Sequence, residues 1–116
     1  MTVASPLVPL AQMQAAAVEA CGLLKALANP DRLLILCYLT QGESRVGELE
    51  ENLGIVQPTL SQQLTVLRQE ELVTARRDGK NVYYSLASSH ALAMIETLYR
   101  QFCCEGAAPR RTKRKE

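Results

Sequence analysis

Cysteine has the widest chemical range of the side chains in this sequence. Cys37 lies in the apolar run "LLILCYL", Cys103 and Cys104 close "YRQFCC", and Cys21 sits nearer the amino terminus. A thiolate can attack an electrophilic sulfur, hold a soft metal, or become half of a disulfide. Adjacent helical residues point about 100° apart, so at most one of Cys103 and Cys104 can face Cys37. Cys103 continues the series Leu92, Ile95 and Tyr99 at helical spacing and is the better placed. Spacing leaves two readings open, because free cysteine is also a common small core residue: Cys37 and Cys103 are either packing or a functional pair. Cys21 reads as core packing.

The second chemically suggestive stretch is "VQPTLSQQLTVLRQ", residues 56–69. Leu60, Leu64 and Leu67 recur at helical spacing, and Gln57, Thr59, Ser61, Gln62, Gln63 and Thr65 fill the other faces with no charge before Arg68. Solvated helix faces usually carry charge; short neutral donors and acceptors suit base edges in a duplex major groove. Glutamine can pair twice with adenine, and serine or threonine can bond either kind of edge. Pro58 starts the helix sharply, bringing its free N–H groups and positive dipole end near a phosphate.

Arg76, Arg77 and Lys80 follow in a hairpin that would flank such a groove, with Tyr83 and Tyr84 alternating across the strands and one of them packing inward. A neutral surface helix beside ordinary solubilising charges is the competing reading. Residues 57–80 carry four cations and three anions, a net +1 per subunit. Phosphate neutralisation is therefore modest, and useful affinity needs two subunits on a symmetric site with half-sites about 34 Å apart.

Enzyme chemistry finds little support. The sequence has no Cys-x-x-Cys, no glycine-rich phosphate loop and no nucleophile beside an evident base, so no catalytic residue is assigned. His90 is the single histidine, too few for a His-rich tetrahedral site, and neither a metal nor a cofactor is expected.

Several elements must position these residues. After a loose segment at 1–11, a helix is expected from about Gln12 to Ala28, with Val18, Cys21, Leu24, Leu27 and Ala28 as its apolar stripe. Asn29, Pro30 and Asp31 supply an N-cap, a first-turn proline and a dipole-matching charge for a central buried helix that ends at Gly42. Ser44 can cap a short helix over "RVGELEENLG", with Val46, Leu49 and Leu53 inward and Gly54 ending it. Strands over 73–77 and 81–86 surround Asp78-Gly79, a strong hairpin signal. A last helix is capped by Ser88 or Ser89 and lined by Leu92, Ile95, Leu98, Tyr99 and Phe102. The order is helix, helix, helix, turn, helix, hairpin, helix: a mainly α winged helix-turn-helix. Apolar stripes on the first and last helices exceed what one core can bury, which predicts a homodimer through them.

At 116 residues and 47% apolar composition, one domain is expected, over 12–105. Residues 1–109 hold eight basic and eleven acidic side chains, a net −3, whereas "RRTKRKE" holds five and one, a net +4. The basic tail at 106–116 is either a disordered solubilising end or an arm adding phosphate contacts. No membrane span or secretion signal is read, so the protein is expected to be cytoplasmic with its thiols reduced.

"LLKALANPDRLLILCYL", "VGELEENLGIVQPTLSQQLTVLRQEELV", "RRDGKNVYYSL" and "LYRQFC" together resemble the ArsR/SmtB family of bacterial winged-helix repressors, over about residues 13–104. The likeness is greatest to its dithiol subgroup of redox and persulfide sensors. It implies a homodimer that holds double-stranded operator DNA while Cys37 and Cys103 are reduced and releases it when a reactive sulfur species or oxidant joins them by a disulfide or polysulfide bridge. Metal-sensing relatives carry a Cys-x-Cys or similar cluster on the helix before the recognition helix, where "RVGELEENLG" has neither Cys nor His. Cys104 and Cys21 depart from the dithiol pattern. With Cys103 they keep a soft-metal or arsenite-responsive repressor as the alternative.

Overall fold

The computed structural model describes residues 8–103. Cys104 and the basic tail lie outside these residues, as do the first seven. Helix α1 spans Leu10–Leu27, starting two residues before the expected Gln12, so Leu10 and Ala11 of the segment expected to be loose are helical. Only Ala26 and Leu27 of α1 are buried. Of the apolar stripe read along it, Leu27 reaches the core, but Val18 is 74% and Leu24 51% exposed, and Cys21 is exposed too, so its reading as core packing is corrected. Periodicity had identified an apolar face without identifying what covers it.

Helix α2, Pro30–Leu39, starts as its sequence dictates. The Asn29 side chain accepts a hydrogen bond from the Arg32 backbone N–H at 3.0 Å, and Pro30 occupies a first-turn position where no N–H is needed. Ile35, Leu36 and Leu39 form the centre of the core. The helix stops at Leu39, short of Gly42, and a turn follows.

Ser44 does not cap the next helix. It lies with Arg45 in a short strand, β1 (Ser44–Arg45), and is buried there. Helix α3, Val46–Leu53, is closed instead by the Glu48 carboxylate, which accepts from the Arg45 backbone N–H at 2.8 Å. Gly54 ends α3 at φ 70°, a left-handed conformation that favours glycine.

Helix α4, Gln57–Gln69, buries Leu60, Leu64 and Leu67 as their spacing requires. Its end is a Schellman motif: the Leu72 N–H donates to the Leu67 carbonyl and the Glu71 N–H to the Arg68 carbonyl, both at 2.9 Å. Glu71 occupies the left-handed position at φ 62°, where glycine would be unstrained.

Strands β2 (Val73–Asp78) and β3 (Asn81–Leu86) form the hairpin. Because Asp78 pairs with Asn81, the two-residue loop is Gly79-Lys80, one residue beyond the expected Asp78-Gly79, and only Gly79 has positive φ. The sheet order is β1-β3-β2, so β3 is flanked on both sides. Helix α5, Ser89–Phe102, is capped by Ser88, whose hydroxyl accepts from the Ala91 N–H at 3.0 Å. Ala91 and Ile95 carry α5 onto the core. No helix among the described residues is long and apolar enough to cross a membrane.

Candidate functional site

At about 100° per residue, burial of Leu60, Leu64 and Leu67 sets the opposite face of α4 outward. Gln62 lies almost directly opposite the leucines; Gln57, Ser61, Thr65 and Arg68 form one exposed stripe beside it. Thr59 and Gln63 fall on the other rim and are half-buried. Some of these groups are already engaged. The Ser61 hydroxyl donates to the Gln57 side chain, and the Thr65 hydroxyl donates to the Ser61 carbonyl at 2.9 Å. Gln57 also reaches Glu50 at 3.5 Å. Gln62 and Arg68 have no hydrogen-bond or ion-pair partner among the described residues.

Gln63 is held differently. Its Oε1 accepts from Arg32 Nη1 at 2.9 Å, while Arg32 Nε donates to the Ala26 carbonyl at 2.7 Å and Nη2 to the Lys25 carbonyl at 3.1 Å. One guanidinium thus caps the end of α1 and grips the rim of α4. Sequence reasoning missed this role. A usable signal existed, since an arginine in the first turn of a helix opposes that helix's dipole and needs another reason to be there.

In the wing, Tyr84 packs against the core and Tyr83 stays outside, so one tyrosine faces inward as expected. Arg76 lies opposite Tyr83 in the ladder, its guanidinium 4.7 Å from the ring centroid. It is also clamped to Glu43, through Nε to Oε2 at 3.0 Å and Nη2 to Oε1 at 2.8 Å. That hydrogen bond holds the Glu43 carboxyl below its ordinary range, opposed by desolvation and assisted by the arginine's charge and by Ser85. Arg76 is therefore partly neutralised. Arg77 and Lys80 are exposed and have no hydrogen-bond or ion-pair partner among the described residues.

Cys37 lies on α2 and Cys103 at the end of α5. Cys37 is half-buried and opens onto a cleft of about 660 Å³ lined also by Leu34, Tyr38, Tyr99 and Arg100. Burial pushes its pKa up, and the charge of Cys103 pushes it further, which places the two sulfurs within electrostatic reach. Both are free thiols, Cys103 exposed at the end of α5. Among the described residues no group of three or more His, Cys, Asp or Glu side chains could hold a metal ion.

An uncovered apolar surface runs along α1 and the end of α5. It includes Leu10, Met13, Val18 and Leu24, and then Tyr99 and Phe102, the last 79% exposed. A cleft of about 530 Å³ between these helices is lined mainly by small or apolar residues such as Ala16, Ala20, Gly22 and Ala93.

Comparison with known proteins gives consistent likenesses. The sequence profile described as "Bacterial regulatory protein, arsR family" matches residues 29–75. The biofilm growth-associated repressor of Agrobacterium fabrum is 52% identical over 96 residues, 83% of this chain and 82% of its own. Reduced HlyU from Vibrio cholerae superimposes with a TM-score of 0.78 at 45% identity, covering 81% of this chain and 99% of that one; HlyU is named a transcriptional activator. The homodimeric winged helix-turn-helix DNA-binding domain Mb0332 from Mycobacterium bovis gives a TM-score of 0.67 at 28% identity over 99% of this chain and 100% of that one. These relatives are regulators, not enzymes, and the chain shares their winged helix-turn-helix fold.

Proposed function

The chain belongs to the arsR family of bacterial regulatory proteins, and from that premise we propose that it is a homodimeric transcriptional repressor that releases its operator when Cys37 and Cys103 are bridged. The observation that carries this reading is that Cys37 shares a cleft with Tyr99 and Arg100 of α5, one turn before Cys103, although 66 residues separate the two thiols in sequence. The exposed faces of α1 and α5 support the dimer, as does the homodimeric state of the M. bovis domain. The polar, carboxylate-free face of α4 and the free cations Arg68, Arg77 and Lys80 supply the duplex contacts, with Gln57, Thr59, Ser61, Gln62, Gln63, Thr65 and Arg76 around them.

Exposure assigns the order of the thiol chemistry. The Cys103 thiolate attacks the sulfane sulfur of an organic persulfide, R–S–SH, expelling the thiol R–SH and leaving Cys103 as a persulfide. Cys37, its proton lost to solvent, then attacks the inner sulfur as the thiolate and expels hydrosulfide, so the two electrons lost by the protein thiols leave on that sulfide. A further sulfane transfer before closure gives a polysulfide bridge. Either bridge clamps α5 to α2, changes the angle between subunits and spoils the half-site spacing. A coupling of about 3 kcal/mol lowers operator affinity more than a hundredfold.

The test is binding of a promoter duplex by the wild type, Cys37→Ser and Cys103→Ser before and after a persulfide donor. The wild type should let go and both serine variants should hold on. Variants that still dissociate reject the bridge. Loss of binding with arsenite but not with persulfide favours the thiolate-metal reading.

A further inference from the structure

Two adjacent glutamines on α4 look equivalent in sequence, yet their surroundings differ. We propose that Arg32 fixes Gln63 as a one-way hydrogen-bond donor toward DNA, leaving adenine reading on α4 to Gln62; this rests on the reading of α4 as the recognition helix. A guanidinium carries donors only, so the carboxamide that meets Arg32 Nη1 at 2.9 Å must present its oxygen. The Gln63 NH₂ group is then turned away from Arg32 and has no partner among the described residues. A bidentate pair with adenine needs both ends of a glutamine, its oxygen accepting from N6 and its nitrogen donating to N7. In Gln63 the oxygen is turned to Arg32, which takes one of its two lone pairs and fixes its direction, so the NH₂ end is the one free to face a base. It can donate to a purine N7, a guanine O6, a thymine O4 or a phosphate oxygen, and a lone donor to N7 does not tell adenine from guanine.

The orientation is stiff because Arg32 is itself fixed at two further points. Its Nε and Nη2 donate to the last carbonyls of α1, at Ala26 and Lys25, so the guanidinium cannot follow Gln63 if the amide turns. Arg32 is thus a positioning residue that need not touch DNA. Gln62 lies opposite the leucine stripe, is exposed, and has both ends of its amide open.

The test is selection of bound duplexes from a pool randomised across the half-site, with binding constants on the winners and circular dichroism on every variant. Gln62→Ala should erase an adenine preference that the wild type shows. Gln63→Met should leave the adenine preference unchanged and weaken binding severalfold. Gln63→Glu keeps a partner for Arg32 but turns an acceptor outward, and should weaken binding at least tenfold with the fold intact. Arg32→Met should add a second adenine preference that the double variant Arg32→Met/Gln63→Met lacks.

Should Arg32→Met fail to fold, the Gln63 variants decide alone. Loss of an adenine preference in Gln63→Met, or wild-type affinity in Gln63→Glu, overturns the inference. So does a folded Arg32→Met with an unaltered profile. Selection of no duplex by reduced wild type instead overturns the DNA-binding reading itself, and this inference with it. Methylphosphonate duplexes and 7-deazaguanine duplexes assign the acceptor: the first abolish the Gln63 contribution if it is a phosphate, the second if it is guanine N7.

Discussion

Glu43 and Arg76 form a two-point clamp between the loop after α2 and the wing, with both carboxylate oxygens accepting from the guanidinium at 2.8 and 3.0 Å. The sequence places Arg76 among the cations that would flank the groove, and the clamp takes much of that charge away. Glu43→Gln should release it. The log–log dependence of DNA affinity on salt should steepen by about one per subunit. Acid should mimic the substitution. Glu43 has a depressed pKa, so its stabilising contribution is complete above the ordinary glutamate range and is lost as pH falls through the depressed value. An unchanged salt slope in Glu43→Gln would show that Arg76 makes no phosphate contact even when freed.

Thiol reactivity should be unequal. Cys103 is exposed, whereas burial and then the Cys103 charge raise the Cys37 pKa, so Cys37 is a neutral thiol at pH 7. Iodoacetamide with peptide mapping should label Cys103 first, and Cys37 labelling should accelerate as pH rises beyond 9, its ordinary value. In Cys103→Ser the Cys37 profile should move toward lower pH, because one of its two causes is gone.

Glu71 pays a conformational penalty at φ 62° in the Schellman turn. Glu71→Gly should stabilise the fold by about 1 kcal/mol, visible as a Tm increase of about 4–8 °C. A lower Tm would mean that unfolded-chain entropy outweighs relief of the left-handed strain.

Charge on the uncovered stripe should split the proposed dimer. Val18→Glu or Phe102→Glu places a carboxylate where the residue is now 74% or 79% exposed in the single chain, so the monomer fold is spared. Sedimentation should show monomers that bind a half-site weakly and a full operator no better. A dimer that survives both changes would move the interface elsewhere.

Local signals explain most of what the sequence disclosed. Asn29, Ser88 and Gly54 act within four residues of their own positions, and the leucines of α4 announce their face by spacing alone. The proposed pairing of Cys37 with Cys103 comes from family resemblance, since spacing does not distinguish a pair from packing. Contacts between remote segments were illegible. The strand at Ser44 and Arg45 exists only because Tyr84 and Tyr83 arrive beside it, and the serine that looked like a cap was drawn into that ladder. The role of Arg32 could not be read locally, because its acceptors lie behind it on α1 and across on α4. Along α1, periodicity gave the correct apolar face but assigned Cys21 to an interior that the single chain does not provide.

The shared middle strand has a mechanical consequence. β3 is bonded on one side to the outer hairpin strand and on the other to Ser44 and Arg45, which run straight into α3. The hairpin cannot hinge away without breaking a ladder at the root of the helix-turn-helix. Any flexing of the wing is therefore confined to the tip beyond Arg76 and Tyr83, where the hairpin has only its own ladder to hold it.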